Sequence, residues 1–198
     1  MSNATLLRDL KRRGMAAPVL AVGDGALGFW SAVREVWPET REQACWCHKL
    51  VNVLDKLPQR LQSRAKRALH EMMYAERRSD CEAAKVRFEA EYQAKYPRAV
   101  DSLTAHWERL MSFFDFPAEH WKHLRTTNVI ESPFATVRLR ERATRGAGSR
   151  TKGLLMAFKL LDMAQQRWRR LDGAHLLPLV RASVKFAGGV HAGTNQRQ

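Results

Sequence analysis

The chain is 198 residues long, 45% hydrophobic, and carries 34 Lys or Arg against 20 Asp or Glu, for a formal net charge of +14. That length allows one ordinary domain with room for a sub-domain, and the apolar content excludes disorder throughout. No apolar run approaches the roughly 20 residues of a membrane-spanning helix, and no signal-peptide core opens the chain. So basic a chain points to a polyanionic partner, nucleic acid before a membrane surface. Cys45, Cys47 and Cys81 are too few and too irregular for a disulfide scaffold, so reduced thiols in a cytoplasmic protein are the simpler reading. Met1 to Ala4 is given no weight.

Leu6, Leu7 and Leu10 fall at helical spacing, with Gly14 where a helix C-terminus favours glycine. Val19 to Val22 is fully apolar and short, which predicts a buried strand. Gly23 and Gly25 flank Asp24 and are expected to let the backbone turn there. Leu27 to Val36 predicts a helix stopped by Pro38, and Arg41 to Trp46 a second short strand. Helix, strand, acid, helix, strand is the pattern of an α/β unit.

From Cys47 the character changes to helix after helix. Pro58 opens one whose stripe is Leu61, Ala65, Ala68, Leu69, Met72 and Met73. Ser79 with Glu82 has the spacing of a capping box, and Cys81, Ala84, Phe88 and Tyr92 form the next stripe. Pro97 restarts the chain, and Val100, Leu103, Trp107, Leu110, Met111 and Phe114 follow at spacings of 3 or 4. Phe116 to Trp121 is a break. Glu131 opens or precedes a helix running through Arg142. Gly146, Gly148 and Ser149 make a basic turn, and Leu154, Phe158, Leu161, Trp168 and Leu171 mark a last long helix ending near Gly173. Disorder is expected from Gly188 onward.

The charge is concentrated. Between Lys122 and Arg170 lie 12 Lys or Arg and 3 acids (Glu131, Glu141, Asp162), a net of +9. A solvated helix face is the bland reading. A strip that also holds a candidate catalytic acid instead suits sequence-independent phosphate contacts, and the residues assigned to them are Lys122, Arg125, Asn128, Arg138, Arg140, Arg142, Arg145, Arg150 and Lys152.

Several runs are specific enough to carry a family resemblance. They are Val22 to Trp30, Cys45-Trp46-Cys47-His48-Lys49 with Asn52-Val53-Leu54, Tyr96 to Val100, Asp115 to Trp121, His123 to Ser132 continuing through Phe134 to Arg140, and Trp168 to Leu171. In this order, over roughly residues 5 to 186, the chain resembles bacterial insertion-sequence transposases of the mutator type. The resemblance implies a ribonuclease H-like core with a DDE metal site, interrupted by an all-helical insertion before the last acid. The expected fold is mainly α with a small α/β portion, a truncated core of about two short strands. Residues 5–46 then form the partial core, 47–122 the insertion, 123–172 the catalytic-Glu helix and the C-terminal helix, and 173–198 a tail.

By resemblance, Asp24 is the second catalytic Asp and Glu131 the catalytic Glu. Both are expected to bind Mg²⁺ (or Mn²⁺), in a site where two ions about 3.5–4 Å apart activate the attacking oxygen and stabilise the leaving one. Carboxylates are the hard oxygen ligands such ions prefer. The implied reaction is DNA cleavage and strand transfer at insertion-element ends, in the bacterial cytoplasm at the nucleoid, by a homo-oligomer or with full-length transposase as partner. One feature departs from the family: no acid stands where its first catalytic Asp belongs. Asp9, the only acid before Asp24, lies in a helical context. The expectation is a C-terminal portion, catalytically incompetent alone, whose first strand keeps one apolar edge exposed. The rival reading is a non-enzymatic basic helical protein that binds DNA or pairs with a transposase.

Individual residues have simpler readings. Asp24 between glycines is also what a turn needs, and Glu131 stands at capping-box spacing from Asn128. With Asn128 as N-cap, Pro133 is the fifth helical residue and removes a hydrogen bond; with Ser132 as N-cap, Pro133 takes the favoured first position. Both stay open. Cys45 and His48, with Cys47 between, lack the further ligands of a zinc site unless Cys81 or His70 supplies them; by resemblance, Cys45 and His48 are structural or near the active site. The tryptophans belong by default to the core, although Trp46 and Trp121 flank the proposed site, where a ring can stack on an unpaired base. His106, His120 and His123 read as surface or hydrogen-bonded histidines.

Overall fold

Ser2 accepts a hydrogen bond from the Thr5 amide and so caps helix α1, Asn3–Arg12, which gives residues 2–4 a role in the fold. The computed structural model describes residues 2–193. After α1 come strand β1 (Leu20–Gly23), helix α2 (Leu27–Val36) and strand β2 (Arg41–Ala44). β1 and β2 pair in parallel, with Leu20 opposite Arg41 and Gly23 opposite Ala44. Among the described residues β1 has no strand on its other edge, where Val19 is exposed and Leu20 to Val22 are half-buried. Leu7 of α1 packs with Ala32, Val33, Val36 and Trp37 in a small core.

Helices then follow in succession: α3 (Trp46–Leu54), α4 (Gln59–Met73), α5 (Arg78–Tyr92), α6 (Pro97–Thr104), α7 (Trp107–Met111) and α8 (Trp121–Leu124). Their apolar stripes meet in one large core that includes Trp46, Leu69, Met72, Phe88, Leu103, Leu110 and Phe114. Burying one such side chain stabilises by about 1.5–3 kcal/mol. Gln43 of β2 is fully buried among them. Its amide donates to the Leu110 carbonyl at 3.1 Å and its oxygen accepts from the Phe113 amide at 2.8 Å, joining the sheet to the segment after α7.

Several local expectations are corrected. Neither Gly23 nor Gly25 has positive φ. Gly23 is required by proximity instead, since a Cβ there meets the Trp30 ring at 2.9 Å. Ser79 with Glu82 is no capping box, because α5 begins two residues earlier than that box requires, with Arg77 as N-cap; Glu82 instead accepts from the Trp107 indole at 2.9 Å. The stripe from Val100 to Phe114 is buried, but the helix breaks at His106, which is left-handed at φ 63. The tail is ordered at least to Gly193: α11 (Leu177–Arg181) precedes a hairpin of β3 (Phe186–Ala187) and β4 (Val190–His191). Gly189 turns the hairpin at φ +84, donates to the Phe114 carbonyl and accepts from the Ala118 amide. The expected disorder of residues 194–198 lies outside the described residues.

The chain divides into two units, Met1–Thr126 with Gly173–Gln198, and Thr127–Asp172. The smaller unit contains α9 (Asn128–Ala143) and α10 (Arg150–Gln165), joined through Arg145, Gly146 and Gly148 in positive φ. Ser149 caps α10 by accepting from the Lys152 amide. This helix is shorter than expected. It closes at Gln165 in a turn where Arg167 and Trp168 bond three residues back, and Leu154, Phe158 and Trp168 of the expected buried stripe are exposed. The architecture is mainly α with a small α/β portion, and no helix among the described residues is long and apolar enough to cross a membrane.

Candidate active site

In parallel α/β sheets the ends of strands where carbonyl groups emerge are the natural place for a site. Asp24 directly follows β1 there, and Cys45 follows β2. The Asp24 carboxylate accepts from the Ala26 amide at 3.0 Å, the local turn that aspartate favours. Its carbonyl accepts from the Trp30 indole at 2.8 Å, so the base of α2 fixes the residue from both ends. The Gly23 carbonyl accepts from the Cys45 amide at 2.7 Å, tying the two strand ends together.

Asp24, Cys45 and His48 line one small pocket of about 80 Å³, with Lys49, His106 and Arg109. The structure therefore brings Asp24 together with the Cys-x₂-His pair. Lys49, His106 and Arg109 are not read from the sequence as neighbours of Asp24; the signals for Lys49 are its place in the Cys45–Lys49 run and the helical phase of α3. The Lys49 ammonium donates to the Ser102 and Ala105 carbonyls at the end of α6, and its burial pulls it below the usual lysine range. Arg109 pairs with Glu42 at 2.9 Å. A larger cavity of about 400 Å³ lies at the opposite ends of the strands, lined by Val19, Arg41, Phe116, Val184 and Phe186, without Asp24.

Glu131 belongs to the other unit. Thr127 is the N-cap of α9, which resolves the open question of where that helix starts. Asn128 is its first residue, so the Asn128–Glu131 capping box does not form, and Ser132 lies inside the helix. Pro133 is the sixth residue and supplies no amide to the Val129 carbonyl. Glu131 is exposed in the first turn, and its carboxylate accepts from the Thr127 hydroxyl.

On α9, Glu131, Arg138 and Arg142 stand at i, i+7 and i+11, which is one helix face, whereas Arg140 is turned about 200° from Arg138. All three arginines are exposed, as are Lys122, Asn128, Arg145, Arg150 and Lys152. Arg125 is different. Its guanidinium lies over the rings of Phe113, Trp121 and Tyr74 at 4.8, 5.5 and 5.6 Å, and burial draws it below the usual arginine range. Its carbonyl accepts from the Trp46 amide at 2.9 Å.

Trp46 and Trp121 are buried, donating to the Leu110 and Phe116 carbonyls, so neither ring faces a base. His120 is buried against the Gly173 carbonyl at 2.9 Å. Cys81 is a buried thiol in contact with Met111, its pKa pushed up to about 12 by burial. Asp9 is held below the usual carboxylate range by its hydrogen bond from Arg12. Among the described residues no three His, Cys, Asp or Glu side chains converge as a metal-binding group.

These features define a class: a basic, mainly helical protein whose small parallel sheet carries an acid at its carboxyl end. Residues 2–168 match the family described as Transposase, Mutator family, and the chain belongs to that family. It is 56% identical over 186 residues to the transposase for insertion sequence element IS6120 of Mycolicibacterium smegmatis, covering 94% of this chain and 58% of that protein. It is 48% identical to the transposase for insertion sequence element IST2 of Acidithiobacillus ferrooxidans, covering 94% of this chain and 64% of the relative. A more distant relative, the ISRM5 transposase of Rhizobium meliloti, is 34% identical over 62% of this chain and 31% of its own length. The chain thus spans about 58–64% of the length of the two most similar of these relatives.

Proposed function

We propose that this chain works on insertion-element DNA as part of a transposase, with Asp24 and Glu131 as ligands for Mg²⁺ or Mn²⁺. The observation that carries the reading is the place of the two carboxylates. Asp24 sits at the carboxyl end of a parallel strand pair, and Glu131 shares a helix face with Arg138 and Arg142. Both side chains are exposed oxygen donors, which fits a hard divalent ion. When bound, such ions activate the attacking oxygen and stabilise the leaving one in DNA cleavage and strand transfer. Arg138 and Arg142 hold phosphates beside Glu131, and the remaining cations of residues 122–170 add contacts that carry no sequence information.

In this reading the elements α1 to β2 belong to a ribonuclease H-like core, and α3 to α8 are the helical insertion. With only Asp24 and Glu131 assigned as metal ligands, the chain alone is expected to bind DNA and not to cut it. A second copy or a full-length transposase is its partner, a reading supported by the apolar side chains that the smaller unit leaves exposed; that same feature favours the rival, non-enzymatic partner reading. Its place in the cell is with the nucleoid.

The test is a nicking assay on duplex DNA in Mg²⁺ and in Mn²⁺, run beside a binding assay. Binding without nicking is expected. Nicking that vanishes in Glu131→Gln overturns the incompetence, and failure to bind duplex overturns the DNA reading.

A further inference from the structure

Across the larger unit, exposed cations are generally matched by acids. Arg8 pairs with Glu35, Arg34 with Glu42, Arg41 with Asp115, and Arg87 with Glu71. Lys95, Arg98, Arg181 and Lys185 stand singly or far apart without an ion pair among the described residues, and the outer face of α4 with the turn before it holds the longest such run. From Lys56 to His70 there are five Lys or Arg and no acid. Of these only Arg64 is paired, to Glu91 at 2.8 Å. Lys56, Arg60, Lys66 and Arg67 are exposed and make no ion pair with the described residues.

The arrangement follows from the helix. Ala65, Leu69, Met72 and Met73 point into the core, which leaves Arg60, Arg64 and Arg67 in one outward row at i, i+4 and i+7, about 10.5 Å long. Arg60 and Arg64 repel each other at that spacing, a cost that the Arg64–Glu91 pair lessens and a bound polyanion lessens further. Every exposed residue of α4 is polar: Gln59, Arg60, Ser63, Arg64, Lys66, Arg67 and Glu71. A protein partner needs an apolar centre to its interface, and this face has none. A phosphate backbone needs only the cations.

We propose that the outer face of α4 is a second duplex-DNA surface, separate from the cations of residues 122–170, in which Lys56, Arg60, Lys66 and Arg67 contact backbone phosphates. The proposal rests on the DNA reading above. It is tested with the whole chain and a duplex of arbitrary sequence, measuring the binding constant between about 50 and 200 mM salt. The triple variant Arg60→Gln, Lys66→Gln, Arg67→Gln is expected to bind more weakly and to lower the slope of log K against log salt by about 2 to 3. Its melting temperature stays level or rises, since repulsion is relieved. A control that neutralises Arg12, Arg13 and Arg77, which pair with Asp9 and Asp80, leaves the slope nearly unchanged.

An unchanged slope in the α4 variant overturns the proposal. So does an equal fall in the control, which reduces the effect to net charge. If the unaltered chain does not bind duplex, the DNA reading and this proposal both fail. If binding falls in Arg138→Gln with Arg142→Gln but not in the α4 variant, only this proposal fails.

Discussion

The two units use apolar residues in opposite ways. In the larger one, the stripes of α3 to α7 close on one another, and Leu69, Leu103, Leu110 and Phe114 have no exposed surface. In the smaller one, Val129, Ile130 and Leu139 of α9 and Leu154, Leu155 and Phe158 of α10 are each more than half exposed. Met156, Leu160 and Leu161 are half-buried, and Pro133 is the only buried residue of the pair of helices. Amphipathic periodicity alone therefore does not tell a core from an uncovered face; whether enough partner surface exists does. The larger unit carries its own stability, while the smaller combines charge for a polyanion with apolar surface that nothing within the unit covers.

Core truncation is the strongest way to break this contrast. Leu110→Ala is expected to cost about 2–5 kcal/mol in urea unfolding, and Phe158→Ala no more than about 0.5 kcal/mol. A comparable loss at Phe158 would show that the smaller unit is packed after all. Gln43→Ala leaves the buried Phe113 amide without its acceptor, while the Leu110 carbonyl keeps the Trp46 indole, so a loss of about 1–3 kcal/mol is expected in the same measurement. Gly23→Ala forces the Trp30 ring to move and is expected to cost about 1–3 kcal/mol, while Gly25→Ala, which meets nothing within 4 Å, is close to neutral.

Arg125→Lys keeps the charge but loses the flat stacking on three rings. A loss of about 0.5–2 kcal/mol is expected, with the salt dependence of DNA binding unchanged; a fall in that dependence would make Arg125 a phosphate contact like Arg138. A further effect is confined to alkaline pH. Burial raises the Cys81 thiol from 9.0 to about 12, so the unfolded chain loses that proton first and stability falls as pH rises between these values. Cys81→Ala is expected to flatten that part of the stability curve, and an unchanged slope would mean that other groups dominate it.

Much of the fold is legible in the sequence, this contrast is not, and the missing parts have physical causes. Helix α2 was read at its true bounds because Gly23 to Gly25 and Pro38 bracket an uninterrupted helical pattern. The start of α9 was not, because Thr127, Asn128 and Ser132 are all competent caps and Pro133 is tolerated inside the helix. Asp24 announced itself through its flanking glycines, whereas Lys49, His106 and Arg109 reach its pocket only through tertiary packing. Arg125 read as one more cation of a basic strip, since Tyr74 and Phe113, which cage it, are far away in sequence. Gln43 is polar, and its burial depends on main-chain partners at Ala44, Leu110 and Phe113, two of them far away in sequence. The exposed stripe of α10 looked like core because periodicity records amphipathic character and not the surface available to cover it.

The most direct measurement is amide hydrogen exchange of the whole chain, with and without duplex DNA. In the free chain, α9 and α10 should exchange well before α4 and α5 of the larger core, and DNA should slow exchange most along α9, with a smaller gain on α4. Equal protection of the two units in the free chain, or no gain along α9 on adding duplex, would contradict the division of labour between a self-supporting unit and a DNA-facing one.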